Sequence, residues 1–577
     1  MVQERIDPWF ALRIHMVFIG LLAAFIGLGV RLYIIQIVDH GFYQDKADRQ
    51  QIIRVALPAR RGTIYDVNGM TLAVTEKAST ICLAPGQFGR KTDAVPMLAG
   101  VFNMPPDIIR QRLASGKQLV YIRRQVSDEY AAQVRALNLP GIHFKSEDRR
   151  AYPNGALFCH ILGFTNVDQN GLEGLELYYN SLLTGRAGEQ EINRNALCSS
   201  GAAITWRTGS QPKENGVDLY LTLDGYVQGV TEEVIRKAWD DNQPDAIMAL
   251  AVDPRTGRVL AMANLPNFDP AQPGQAPTDI RRNRVLTDAY EPGSVLKVFT
   301  AAGAINDGMD PLNTIFDCEN GVFFYKGRTL HDHDAYDKLN LVDVIVNSSN
   351  IGIAKVGIAM GMPAVAGYLD LFGFGRPTGI EFPGETGGFL RAAKKWDSFT
   401  LTSVPMGHEI TCTALQLVMA MSAIANGGVL LRPQLVDRVT DPDGKTVTVA
   451  AVTPVRRVIS ERTAFIMREI MAQVVERGTG TKARVEGVRV AGKTGTAQML
   501  ITDPATGAKT YSEDAFLSSF CGFAPAEDPR ICLIVSVMNP KGKSYYGGSV
   551  AAPAVRTIIE RTLSYLSAPV LTYRSGS

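Results

Sequence analysis

The stretch Tyr290–Gly308, YEPGSVLKVFTAAGAINDG, decides how the rest of the chain is read. From Ser294 onward it predicts a helix. Val295, Leu296, Val298, Phe299, Ala301, Ala302, Ala304 and Ile305 make that helix apolar nearly all round, and such a helix belongs in a core. Gly308 and then Pro311 supply its stop. Two polar residues open it, Ser294 and Lys297, three positions apart and therefore on one face. Burying an ammonium is costly unless it is paired or neutralised. Desolvation lowers a lysine pKa, and a neutral amine beside a hydroxyl is a base beside a nucleophile. Alone, S-x-x-K equally describes a capping serine and a snorkelling lysine, so its companions decide.

Two companions stand downstream, Ser348-Ser349-Asn350 and Lys493-Thr494-Gly495-Thr496. They are far enough apart to meet only through the fold. Ser294 at a helix start sits in a positive field with free backbone N–H groups nearby. Ser348 can relay a proton, and Asn350 can hold Lys297 and a substrate amide. Lys493 offers a fixed positive charge for a carboxylate. Gly495 leaves room for a peptide to pair with the strand edge. The N–H groups of Ser294 and Thr496 can form an oxyanion hole. Taken singly, Ser348 and Asn350 read equally as a helix cap and Lys493 as a strand end; their joint order sets those readings aside.

The chain has 577 residues, 46% hydrophobic and 20% charged, which bounds it to a few globular domains. A net charge of +2, with no basic run interleaved with aromatics, excludes nucleic acid as a partner. Seven scattered cysteines show no C-x-x-C spacing, which argues against zinc ligation. Cys521 and Cys532 are placed to face each other on neighbouring strands, bonded or free.

Met16–Val38 is apolar apart from Arg31 and Gln36, long enough to cross a hydrocarbon core. Bulky Leu32, Tyr33, Ile34 and Ile35 follow where a signal peptide would have small residues at a cleavage site. The reading is one uncleaved span with a short cytoplasmic N-terminus. Charge does not choose the orientation, since Arg5 and Arg13 precede the span while Lys46, Arg49 and Arg54 follow it. Arg31 either snorkels to the interface or faces a partner helix.

From Asp39 to Asn215 the pattern is mixed and shows no acid–base constellation. Arg61–Val74 reads as strand, Asn-Gly turn, strand. Asp107–Leu113 and Ser127–Leu137 read as amphipathic helices, and Gly171–Gln190 as one helix with a glycine-rich stop. His143 and His160 read as packed or surface residues. In the remainder, Gly216–Asp224 is a strand whose Asp224 caps a helix. Asp245–Asn264 is a hairpin, and Thr413–Gly428 a buried helix. Gly487–Gln498, Ala515–Ala524 and Ile531–Met538 are three antiparallel strands, before a last helix over Val550–Leu566.

With these residues in view, the chain resembles the class B penicillin-binding proteins, and most of all their septal, division-specific D,D-transpeptidases. Serine, lysine, serine, asparagine and lysine in this order are shared by penicillin-binding proteins and class A β-lactamases. The likeness extends to RGTIYDVNG at Arg61, GFTNVDQNGLEGLE at Gly163, LTGRAGE at Leu183 and TGRVLAMANLPNFDP at Thr256. It continues through RNRVLTDAYEPGSVLK at Arg282, SSNIGIAK at Ser348, AGKTGTAQ at Ala491 and YYGGSVAAP at Tyr545.

The resemblance implies a multidomain α/β (α+β) chain. Residues 1–15 would be a cytoplasmic tail, 16–38 the span, 39–215 an elongated non-catalytic pedestal, 216–568 the transpeptidase domain and 569–577 a loose tail. The transpeptidase domain would be an antiparallel sheet flanked by helices, as in serine β-lactamases. Ser294, Lys297, Ser348, Asn350 and Lys493 would be catalytic, with Thr494, Gly495 and Thr496 binding substrate. The implied substrates are stem peptides ending in D-Ala-D-Ala, and β-lactams would acylate the serine. No cofactor or metal is implied, and His331–Asp334 is expected to be a solvated loop.

The implied partners are a SEDS-type glycosyltransferase and other divisome membrane proteins, since no second catalytic region reads as a glycosyltransferase. The SSN triplet favours the septal over the elongation branch, and no appended repeat module suggests the sporulation type. Glu409 and Ala414 stand where the family usually has Gly and Pro. A carboxypeptidase or β-lactamase, which needs a base for water, and a β-lactam sensor are the competing readings. Glu409 is the candidate for that base, while Glu381 and Glu385 read as a surface loop.

Overall fold

The computed structural model describes residues 8–88, 91–193, 205–206, 211–502 and 509–567. Contacts divide the chain into two units, Met1–Ala59 with Gly185–Asn215, and Arg60–Thr184 with Gly216–Ser577. Cys198 and the expected loose tail at 569–577 lie outside the described residues.

In the first unit, helix α1 spans Pro8–Tyr33 and runs on through a π-turn at Ile34–Val38. It starts eight residues before the expected Met16, inside the stretch read as a tail, because Pro8 suits a first helical turn. At ~1.5 Å per residue its 31 residues exceed the ~30 Å of a hydrocarbon core. None of its side chains is buried, and apolar groups exposed all round point to lipid as their solvent. Downstream, Ile52–Leu57, Gly188–Asn193 and Thr205–Trp206 form a small antiparallel sheet.

The second unit contains two larger sheets. One joins β1 (Ile64–Tyr65), β2 (Thr71–Leu83), β3 (Val120–Val126), β4 (Ile142–Ala151) and β5 (Asp218–Leu221). β1 runs parallel to β5, Ile64 opposite Leu219 and Tyr65 opposite Tyr220. The division expected after residue 215 is therefore crossed by one sheet. The expected helix Gly171–Gln190 is also broken, into Gly174–Tyr178 and Asn180–Thr184, and the chain is a strand from Gly188. Gly174 has φ +62°, and a Cβ there would meet the Gly163 nitrogen at 2.5 Å, so this glycine serves close backbone approach.

Asp224 accepts the N–H groups of Tyr226 and Val227 and caps α2 (Gly225–Asn242) as expected. The five-stranded antiparallel sheet follows, from β6 (Ala246–Val252) and β7 (Val259–Leu265). Its β6 is apolar at every position because both faces are covered. Met248, Leu250 and Val252 enter one core with α3 (Lys297–Asn306), α4 (Asn350–Met360) and α5 (Ala414–Ala425). Ile247, Ala249 and Ala251 enter another, with α2 and the C-terminal helix. Thr413 and Gln416 close a capping box on α5, so Ala414 takes a first helical position that proline also suits.

β8 (Val436–Thr440) and β9 (Thr446–Val449) extend the first sheet in the order β9-β8-β5-β1-β2-β3, with β4 also on β2. After α6 (Glu461–Arg477) come β10 (Ala491–Thr502), β11 (Lys509–Ala524) and β12 (Ile531–Met538), then α7 (Ala552–Ser567). The five-stranded order is β7-β6-β12-β11-β10, which leaves β10 at an edge. Cys532 lies opposite Phe523 and Cys521 opposite Ile534, so the two cysteines are one diagonal step apart rather than face to face. Both are free and buried.

Candidate active site

Ser294 does not open an α-helix. It lies in a 3₁₀ turn, Gly293–Leu296, and α3 begins at Lys297, whose N–H donates to Ser294 O. In a 3₁₀ turn residues i and i+3 eclipse, so Ser294 and Lys297 are stacked on one line. Ser294 is half-buried and Lys297 is fully buried. Gly293 has φ +54°, and its N–H donates to Gly407 O at 3.2 Å.

Lys297 Nζ donates to Ser348 O at 2.5 Å, Ser348 Oγ at 3.2 Å and Asn350 Oδ1 at 2.7 Å. Burial lowers its pKa to about 7, against the opposing pull of Asp332. Lys493 Nζ donates to the same Ser348 Oγ at 3.0 Å and to Thr494 O at 3.2 Å. The structure thus gathers both lysines, from α3 and β10, around one hydroxyl. Ser348 holds it there with φ +63°, a left-handed backbone that non-glycine residues seldom adopt.

Lys493 is expected to be charged, and its surroundings oppose that charge. It too is fully buried, and burial, then the nearby Lys297, push its pKa well down. Two ammonium groups around one hydroxyl repel in a low dielectric, so a charged Lys493 depends on an anion arriving beside it.

Asn350 Oδ1 holds Lys297 as expected, but Asn350 Nδ2 already donates to His331 O at 3.0 Å. Only its second N–H remains for a substrate amide. Along β10 the side chains alternate. Lys493 and Gly495 point to the Ser294 side. Thr494 Oγ1 is hydrogen-bonded to Thr479 Oγ1 at 2.8 Å, and Thr496 Oγ1 accepts the Gly547 N–H at 3.0 Å. Each threonine hydroxyl thus has one partner within the protein, and Thr496, which only accepts here, keeps its own O–H free to donate. A Cβ at Gly495 would sit 2.5 Å from Ser519 Oγ and 2.9 Å from both Pro292 O and Val295 Cγ2. Gly495 lets the Ser294 turn pack on β10, a reason other than the open strand edge anticipated for it.

Sequence reasoning missed two carboxylates. Asp332, assigned to a solvated loop, accepts Ser349 Oγ at 2.7 Å, Ile351 N at 3.0 Å and the Asn350 N–H. Only its neighbours His331, His333 and Asp334 are exposed. Glu291 precedes Ser294 by three positions and is buried, bonded to His408, Glu409 and Tyr511. Its signal was its presence in the opening stretch.

Glu409 Oε2 faces Thr400 Oγ1 at 2.9 Å and Arg391 at 3.6 Å. Its φ of +60° explains why glycine suits this position. Glu385 accepts Thr378 N and Oγ1, both at 2.6 Å, and Glu381 accepts the Tyr179 hydroxyl. Both are half-buried loop ties rather than free surface groups. His160 is packed, its pKa lowered to about 4 by burial, and His143 is exposed.

Residues 247–560 match the penicillin binding protein transpeptidase domain, and residues 56–221 the penicillin-binding protein dimerisation domain. The probable peptidoglycan D,D-transpeptidase PenA of Neisseria meningitidis is 33% identical, covering 96% of this chain and 93% of its own. Stage V sporulation protein D of Bacillus subtilis is 34% identical over 88% of this chain and 78% of its own. Peptidoglycan D,D-transpeptidase FtsI of Escherichia coli is 31% identical over 91% and 87%. Among solved structures, penicillin binding protein 3 of Mycobacterium tuberculosis complexed with aztreonam superposes with TM-score 0.69 at 26% identity, covering 89% of this chain and 98% of that one. The serine, lysine and amide cluster, the paired domain matches and relatives spanning nearly the whole length agree: this chain belongs to the class B penicillin-binding protein transpeptidases.

Proposed function

We propose that the chain is a serine D,D-transpeptidase that cross-links peptidoglycan stem peptides, and that it serves the septum. The observation that carries the chemistry is the convergence of Lys297 and Lys493 on Ser348 Oγ, one turn from Ser294. In this reading neutral Lys297 takes the Ser294 proton as Oγ attacks the carbonyl of the penultimate D-Ala. The N–H groups of Ser294 and Thr496 receive the oxyanion. Ser348 passes a proton to the departing D-Ala nitrogen, and the substrate carboxylate seats against Lys493 and restores its charge. The acyl group then passes to an amine of a neighbouring strand. β-Lactams would acylate the same serine, and the mycobacterial relative forms a complex with the β-lactam aztreonam.

Helix α1 would anchor the chain in the cytoplasmic membrane, with residues 39–215 as a pedestal and 216–568 as an extracytoplasmic catalytic domain. Support for the septal role is the SSN triplet and the FtsI relative. The elongation role is the alternative, and a SEDS-type glycosyltransferase with divisome membrane proteins would be the partners. Fluorescent penicillin should label the wild-type chain and not Ser294→Ala. Labelling of a folded Ser294→Ala protein would sink the assignment. Depletion that yields filaments, rather than round cells, would support the septal role.

A further inference from the structure

The Glu291 carboxylate is 6% exposed and lies just before the nucleophile's turn. Its Oε1 accepts the Glu409 N–H at 2.9 Å and the Tyr511 hydroxyl at 3.0 Å. Its Oε2 accepts His408 Nδ1 at 2.8 Å and the same hydroxyl at 3.1 Å. Among the described residues no lysine or arginine is paired with it. Burying a carboxylate on such donors is costly, so stability alone does not account for a glutamate here. Geometry does. Three donors arrive at its two oxygens, and an amide, with one accepting oxygen, cannot take all three.

Those donors belong to two different walls around the Ser294 turn. His408 and Glu409 follow Gly407, on the loop that pairs with the residues before Ser294. Gly293 N–H donates to Gly407 O at 3.2 Å, and a Cβ at Gly407 would lie 2.0 Å from Gly293 O. Tyr290 and Cys412 exchange two backbone hydrogen bonds, at 3.0 and 2.9 Å, at the far end of this pairing. Tyr511 lies on β11 opposite Leu500 of β10, and so belongs to the hairpin that makes the other wall. That hairpin also meets the turn directly: a Cβ at Gly293 would lie 3.1 Å from Thr496 O.

This arrangement bears on one spacing. In the proposed reaction one oxyanion N–H lies on the turn, at Ser294, and the other on β10, at Thr496. The two are far apart in sequence, so their spacing depends on how the turn seats between the loop and the hairpin. Glu291 ties all three together. Resting on the transpeptidase reading, we propose that Glu291 is a positioning residue that holds the two oxyanion N–H groups in register. It acts through the turn and the hairpin and not on the substrate. An oxyanion hole works because its donors are placed before charge develops, with no reorganisation during the reaction. Burial and then Glu291 push the Tyr511 phenol up, which keeps it a donor to Glu291 at neutral pH.

The test uses the full chain in detergent. Stopped-flow acylation over a series of benzylpenicillin concentrations separates the acylation rate constant from the dissociation constant of the preceding complex. A serine-directed boronic acid, whose tetrahedral adduct places an oxygen where the oxyanion forms, serves as transition-state mimic. In Glu291→Ala the rate constant should fall about 100-fold, the effect of a misplacement by ~1 Å. The preceding dissociation constant should stay near the wild-type value, and boronate affinity should fall with the rate constant. Glu291→Gln keeps the volume and one acceptor and should lie between the two. Tyr511→Phe should slow acylation in the wild-type background and add little in Glu291→Ala, where that tether is already gone.

A carboxylate with a merely structural role would lower the melting temperature and leave the rate constant of the folded protein unmoved. That result overturns the proposal, as does a loss carried by the dissociation constant. If Glu291→Ala does not fold, unmoved rate constants in Glu291→Gln and Tyr511→Phe overturn it equally. A wild-type chain that penicillin does not acylate overturns the transpeptidase reading instead.

Discussion

Asp332 accepts the hydroxyl of Ser349 at 2.7 Å, and through it steadies the start of α4. The same Ser349 oxygen accepts the Gly352 N–H at 2.8 Å, while Asp332 also takes the N–H groups of Asn350 and Ile351. This carboxylate fixes the residue that holds Lys297, and its charge opposes the fall in the Lys297 pKa.

Asp332→Asn keeps an acceptor at that place and removes the charge. Lys297 then loses its nearby anion, and the pH midpoint of penicillin acylation should move to the acid side of its wild-type position near pH 7. Asp332→Ala also removes the cap and should cost about 1–2 kcal/mol of stability. Rates against pH and melting curves of both proteins check this. An unmoved midpoint in Asp332→Asn would count against any influence of the carboxylate on Lys297.

The Lys297 shift also has a consequence for stability. Its folded pKa of about 7 lies below the unfolded value of 10.5. Between those values the unfolded chain binds more protons, so this group makes stability rise with pH. The penalty is complete below pH 7 and vanishes above about 10.5. Lys297→Met should therefore raise the melting temperature most at pH 6 and progressively less at pH 8 and 9, by an amount reflecting up to a few kcal/mol. The same protein should lose penicillin acylation by at least about 100-fold. A melting temperature that drops at pH 6 would show that the amine's hydrogen bonds outweigh its desolvation.

Gly495→Ala tests the packing of the nucleophile's turn on β10. The added methyl meets the Ser519 hydroxyl, which can move, and the Pro292 carbonyl, which cannot without displacing the residues before Ser294. Overpacking of this kind costs about 1–3 kcal/mol, and acylation should slow by more than tenfold. Ser519→Gly added to Gly495→Ala should recover part of the stability and little of the rate. Full recovery of the rate would place the constraint on Ser519 instead.

The site was legible in the sequence to the extent that its residues carry their reason locally. Ser294, Lys297 and the apolar residues after them predict a buried amine beside a hydroxyl without any knowledge of the fold. The antiparallel strands from Gly487 to Met538 and the capped helices after Asp224 and Thr413 were equally local. What could not be read depends on long-range placement. Asp332 looks like any residue of an exposed loop until α4 arrives above it. Lys493 looks like a surface cation until burial and Lys297 are known. Thr494 and Thr496 read as substrate-binding, Thr496 through its N–H, and only the fold shows that their hydroxyls meet Thr479 and the Gly547 N–H. The expected division after residue 215 gave no hint of the strands that pair across it, because a parallel pairing between β1 and β5 leaves no mark in composition.

The remaining prediction separates transferase from hydrolase. Rapid hydrolysis of a penicilloyl-enzyme needs a water held and activated against the acyl carbon, the role a glutamate fills in class A β-lactamases. Glu409 was the sequence's candidate. Its carboxylate instead faces Thr400 and Arg391, and its N–H is committed to Glu291. Ring opening leaves the antibiotic's nitrogen tethered to the acyl group, where it shields the face an amine or water must approach. Lacking a placed base, a 10⁴-fold slower deacylation corresponds to a barrier higher by roughly 5.5 kcal/mol. The penicilloyl-enzyme should therefore persist from many minutes to hours after free drug is removed. Glu409→Ala should leave that lifetime unchanged, and Glu409→Gly, relieved of a left-handed non-glycine backbone, should melt within a few degrees of wild type. Release within seconds in a fluorescent-penicillin chase, abolished by Glu409→Ala, would make the chain a hydrolase.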